Sequence, residues 1–164
     1  MKRNSTRAIA KIALTAAIYV AVSYIFAFMA SGEIQFRIAE MLNLLAIFNP
    51  IYIAGVTLGC LITNILTSPF GLLDIIMGSL ATLIATTGIW FCRKNIWAAS
   101  LFPLINGPIV ALVVALAESL FGVGYWFVMI SVTLSEFLVV TVIGVPVFLQ
   151  IKKNQKLVDL LTND

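Results

Sequence analysis

Between Met41 and Leu73 the chain runs for 33 residues without a charged side chain, and Asn49-Pro50 stands in the middle of that run. One crossing of a hydrocarbon core needs about 20 residues at about 1.5 Å each. The run is therefore too long for one helix, and a proline at its centre marks the turn between two. Further uncharged stretches cover Ile12 to Gly32, Ile75 to Cys92, Asn95 to Ala117 and Ser119 to Ser135. With 62% hydrophobic and 10% charged residues, and a mean hydropathy of +1.10, the chain lies far from a soluble domain, where about 25% of residues are charged. The expected class is an all-α integral membrane protein, one transmembrane domain over residues 1–164, with no soluble part and no room for an ATPase. The basic, apolar N-terminal segment has the outline of a signal peptide, but its apolar run exceeds an h-region of about 7–15 residues and no clear small-residue cleavage site follows.

All but one of the 10 basic residues, Arg37, fall in three places: Lys2, Arg3, Arg7 and Lys11 at the start, Arg93 and Lys94 in the middle, and Lys152, Lys153 and Lys156 near the end. A pI near 9.0 is thus explained by membrane orientation rather than by nucleic acid, because cytoplasmic loops collect Lys and Arg. Placing all three clusters inside requires four crossings before Arg93 and two after it. Six helices follow, with both termini cytoplasmic, at about 8–29, 37–48, 51–66, 73–91, 97–118 and 126–151. Cys60 and Cys92 lie in different apolar segments and histidine is absent, so no metal ligand set and no thiol chemistry is expected.

Polar side chains inside apolar helices are costly and face the bundle interior or a cavity. Gln35, Arg37, Glu40 and Asn43 gather at the start of the second helix, the last three on one face at a spacing of three. Asn64, Asp74 and Glu118 lie at a similar depth near the outer ends of the third, fourth and fifth helices. Gln35, Asp74 and Glu118 each have a plainer reading as an interfacial side chain, Asp74 also as a helix N-cap, and Arg37 as a helix-start partner of Glu40. Glu136 lies about ten residues into the sixth helix, too deep to snorkel, and needs a partner or a proton. Asn106 stands between Pro103 and Pro108, where a kink frees backbone carbonyls. Tyr125 and Trp126 open the sixth helix as belt residues or as a stacking surface for a planar ligand. Ala13, Ala17 and Ala21 form a small-residue stripe suited to close approach of another helix, whereas Gly55 and Gly59 suit the protein's own core.

The run from Ile34 through Phe36 and Arg37 to Glu40, the Asn49-Pro50 turn, the segment from Gly55 to Asn64, and Gly71 to Asp74 continuing through Gly78 to Thr82 resemble the QueT family. The resemblance spans almost the whole chain and is most specific in the first half. It implies a substrate-binding S-component of an energy-coupling-factor (ECF) importer: a six-helix protein of the bacterial cell membrane that captures a queuosine precursor outside. It implies as partners a transmembrane coupling protein and two ATPases, which hydrolyse ATP while this chain holds no cofactor. The Ala13, Ala17, Ala21 stripe is similar to the surface by which such subunits meet the coupling protein. Queuosine precursors are 7-deazaguanines, whose N1–H and amine form a donor edge for a carboxylate. Glu40, Asp74, Glu118 and Glu136 are candidate acceptors for it. Asn43, Asn64, Asn106 and Gln35 suit the other ring edges, and Phe36, Tyr125 or Trp126 the faces. Two alternatives stay open: the same architecture with another vitamin or nucleobase-like solute, and a proton-driven secondary carrier suggested by Glu136, against which stands the lack of an internal repeat. A membrane enzyme has only carboxylates to work with here.

Overall fold

A computed structural model of the chain describes residues 2–27, 36–119 and 121–162. Among these every regular element is helical: α1 (Lys2–Ile25), α2 (Ile38–Ile47), α3 (Ile51–Thr67), α4 (Leu72–Phe91), α5 (Ile96–Glu118), α6 (Val123–Lys153) and α7 (Gln155–Thr162). Four of them carry segments long and apolar enough to cross a membrane, Thr6–Ile25 of α1 and the whole of α4, α5 and α6, while α2 and α3 are shorter apolar helices. Leu80, Leu83 and Ile84 of α4, and Ile130 and Leu134 of α6, are exposed on the outside of the bundle. That is the surface a lipid solvent requires.

Asn49-Pro50 separates α2 from α3 as the uncharged run demands, with the Asn49 side chain accepting from the Ile51 amide at 3.0 Å. Where the sequence suggests an ordinary α-helix, α2 is a ten-residue 3-10 helix. At about 2.0 Å per residue it reaches about 20 Å, against about 15 Å for an α-helix of equal length. A 3-10 helix also stacks residues i and i+3 directly above one another. Arg37, Glu40, Asn43 and Ala46 therefore form one row, and from Glu40 onward that row is buried.

Close approach of α1 and α3 is built on two glycines. A β-carbon on Gly55 would lie 2.8 Å from Thr15 Cβ, and one on Gly59 would lie 2.7 Å from Tyr19 Cβ and 3.1 Å from the Ala16 carbonyl. Residues 15 and 19 pair with 55 and 59, so the two helices run parallel, and Gly55 and Gly59 serve the protein's own packing. Helix α4 returns antiparallel to α3, with Gly78 against Asn64 and Thr82 against Cys60. The start of α1, the Asn49-Pro50 corner and the Arg93-Lys94 turn thereby come to one end of the bundle.

Helix α7 lies at that same end. It is a short amphipathic helix that the apolar pattern did not reveal. Asn154 caps it, accepting from the amides of Lys156 and Leu157 at 3.1 and 3.4 Å. Asn49 and Tyr52 donate to its last carbonyls, those of Thr162 and Leu161. An apolar cluster of Leu44, Ile47, Ile89, Val140 and Phe148 fills the bundle just inside it.

The other two long helices are irregular. Helix α5 is broken into Ile96–Ala99, a 3-10 turn at Phe102–Ile105 and Asn106–Glu118, because Pro103 cannot continue the hydrogen-bond ladder. Thr141 on α6 donates to the Ser100 carbonyl at this break, at 3.2 Å. Helix α6 widens into a π-helical stretch over Phe137–Gly144, immediately after Glu136, a distortion that tends to accompany functional sites.

Candidate functional site: a polar cavity above a buried carboxylate network

At the end of the bundle opposite the basic clusters, a cavity of about 430 Å³ opens between the C-terminal ends of α1 and α3, the starts of α2 and α4, and Val110 of α5. Small-solute sites fall in the range of about 300–1,000 Å³ and are apolar with a few placed polar groups. Here Phe26, Phe36 and Phe70 supply aromatic wall, and Arg37, Asn64 and Asp74 supply the polar groups.

The turn before α4 fixes this arrangement. Gly71 has φ +61° and ψ −137°, a conformation open to glycine and unfavourable for other residues. It starts the helix so that Asp74 falls in the first turn rather than at the cap, where the helix dipole favours an anion. Ser68 donates to Asp74 Oδ2 at 2.6 Å and accepts from the Phe70 amide at 3.2 Å. Carboxylate, turn and aromatic wall are thus one unit.

Arg37 forms part of the cavity wall and ties it to the interior. Its guanidinium donates to Asn64 Oδ1 at 2.9 Å, and its Nε lies 3.8 Å from Glu40 Oε1. It is both a partner of Glu40 and a cavity residue, so the two readings of Arg37 hold together.

Below it lies a buried network. Glu40 Oε1 accepts from the Tyr19 hydroxyl at 2.6 Å, and Oε2 accepts from Asn43 Nδ2 at 2.6 Å. Asn106 Nδ2 approaches the same Oε2 at 3.5 Å and donates to Glu136 Oε1 at 3.0 Å. A buried carboxylate is tolerable when each oxygen has donors, and Glu40 meets that requirement with groups from three helices, α1, α2 and α5. Proline 103 ends its 3-10 turn where Asn106 begins the next segment, which aims the amide at Glu136 across the α5–α6 contact.

Of the residues singled out in the sequence, Arg37, Asn64 and Asp74 border the cavity, and Glu40, Asn43, Asn106 and Glu136 form the network beneath it. Glu118 and Trp126 do not line the cavity. Both are exposed at the ends of α5 and α6, and Trp126 packs edge-on against Tyr125 with ring centroids 5.5 Å apart. Gln35 lies outside the described residues. Ala13, Ala17 and Ala21 are exposed along α1, on the side away from α3. Sequence reasoning missed Tyr19, Ser68 and the phenylalanines Phe26 and Phe70. Only Tyr19 carried a signal, since a hydroxyl in the middle of an apolar helix needs a partner.

Apolar helices closed around a polar, aromatic-walled cavity define a membrane protein built to take a small solute. The chain belongs to the QueT transporter family, whose family model matches residues 9–153; it is a family of transporters and not of enzymes. The chain is similar to the protein named queuosine precursor transporter QueT of Lactococcus lactis subsp. cremoris (strain MG1363), with 44% identity over 86 residues, covering 51% of this chain and 50% of the relative. The match thus spans about half the length of that curated relative. No solved structure matches the chain.

Proposed function

We propose that this protein is the substrate-binding S-component of an ECF-type importer in the bacterial cell membrane, and that it binds a queuosine precursor in the cavity between α1, α2, α3 and α4. The observation that carries the reading is the cavity itself. Its phenylalanine walls suit a planar base, and Asp74 with Asn64 offers acceptor and donor groups to the edge of a 7-deazaguanine. The curated relative's name supports the solute class. In this reading all six helices α1 to α6 cross the membrane, and both termini and the Arg93-Lys94 turn face the cytoplasm. The cavity then opens outward.

Energy comes from partners, a transmembrane coupling protein and two ATPases. The exposed Ala13, Ala17 and Ala21 face of α1 supports a contact with the coupling protein, since small residues let helices approach closely. Uptake of a radiolabelled 7-deazaguanine is measured in cells lacking their own uptake route, with this chain expressed alone or with coupling protein and ATPases. Uptake is expected only with all partners. Ala17→Leu is expected to abolish it while leaving binding by the purified protein intact. Undiminished uptake without ATPases, or in Ala17→Leu, overturns the partner assignment.

A further inference from the structure

Beneath the cavity wall, groups from α2, α5 and α6 meet with more acceptors than donors. Asn43 and Asn106 both turn their amide nitrogens toward carboxylates, Asn43 to Glu40 at 2.6 Å and Asn106 to Glu136 at 3.0 Å. That choice fixes which end of each amide is left over. Asn43 Oδ1, Asn106 Oδ1 and Glu136 Oε2 have no hydrogen-bond donor, although the three residues are 0%, 4% and 3% exposed. An unsatisfied acceptor at such depth is destabilising, and most native proteins avoid it. Three around one junction point to a missing donor or cation. The formal charges agree, because Glu40 and Glu136 stand against the single guanidinium of Arg37, which is already shared with Asn64. Arg37 and Ala39 line the cavity, and Glu40, next in sequence, is the group toward which both amides reach, so Arg37 and Glu40 stand between the cavity and the junction.

We infer that Glu136, Asn106 and Asn43 form a seat for one compact positive charge, either a primary ammonium carried by the transported solute or an alkali cation. The ammonium source rests on the function proposed above; the alkali source does not. An ammonium brings three donors and no acceptor, matching three acceptor oxygens. A neutral nitrile at the same place brings only an acceptor and is rejected by the same oxygens.

The experiment uses the purified full chain. Calorimetry compares 7-aminomethyl-7-deazaguanine with 7-cyano-7-deazaguanine in choline chloride, and melting temperature is followed as choline is replaced by sodium or potassium at constant ionic strength. An ammonium seat gives at least about ten-fold tighter binding of the aminomethyl compound; an alkali seat gives a rise in melting temperature with one cation. Glu136→Gln is expected to remove whichever difference is seen, and Glu118→Gln to leave it. Equal or reversed affinities together with no cation response overturn the inference, and so does a difference that persists in folded Glu136→Gln. A proton on Glu136 Oε2, donated to one of the amide oxygens, then satisfies two of the three oxygens. Both arms are read on the unaltered protein, so the inference stays testable if the variant does not fold. Failure of both compounds to bind counts against the proposed function, and the cation arm still judges the seat.

Discussion

Glu40→Ala is expected to destabilise the protein by about 3–5 kcal/mol, the cost of removing one partner from a buried ion pair. The size follows from what the carboxylate holds. Without it the Tyr19 hydroxyl and the Asn43 amide lose their acceptor and the Arg37 guanidinium loses its ion-pair partner at once. Tyr19 and Asn43 are completely buried, so neither can turn to solvent instead. Glu40→Gln keeps the volume and one acceptor oxygen, so it is expected to fall between Glu40→Ala and the natural protein. Thermal unfolding of detergent-purified samples gives the order directly. A Glu40→Ala sample that melts with the natural protein contradicts the network described here.

The second large effect is expected at Gly107, where α5 meets α6. A β-carbon there would run into the Thr133 hydroxyl and would also sit 3.0 Å from both Thr133 Cβ and the Met129 carbonyl. Rotation of Thr133 relieves the first clash and not the other two, because one involves backbone. Gly107→Val is expected to cost at least about 1–3 kcal/mol, the range for overpacking a closed core. The helix separation it forces also lengthens the adjacent Asn106 to Glu136 hydrogen bond. Thr133→Ala in the same chain is expected to restore part of the loss, a coupling that a double-mutant cycle measures in melting experiments. Strict additivity of the two changes contradicts this packing.

The parts of this site legible in the sequence were those governed by spacing. Arg37, Glu40 and Asn43 at intervals of three share a face in an α-helix and stack in a 3-10 helix, so the row survives the error in helix type. Asn49-Pro50 announced the α2–α3 turn because lipid tolerates neither a 33-residue crossing of ordinary tilt nor a casual proline. Depth alone was a poorer guide. Glu118 and Trp126 share the outer level with Asp74, yet their direction around the helix turns them outward, and a sequence without packing partners does not reveal that rotation. Tyr19 was hidden for the opposite reason, since its role depends on Gly59 admitting α1 close enough to α3 for the ring to reach Glu40. Helix α7 escaped notice because it is an amphipathic eight-residue segment whose apolar face is too short to register as a crossing.

The most direct test of the cavity as the solute site is calorimetric titration of a 7-deazaguanine ligand into the natural protein, Asp74→Ala and Glu118→Ala. One-to-one binding is expected, weakened by about ten-fold or more in Asp74→Ala and unchanged in Glu118→Ala, whose side chain lies outside the cavity. Unaltered affinity in Asp74→Ala, with loss in Glu118→Ala, would contradict the account and move the site to the α5–α6 turn.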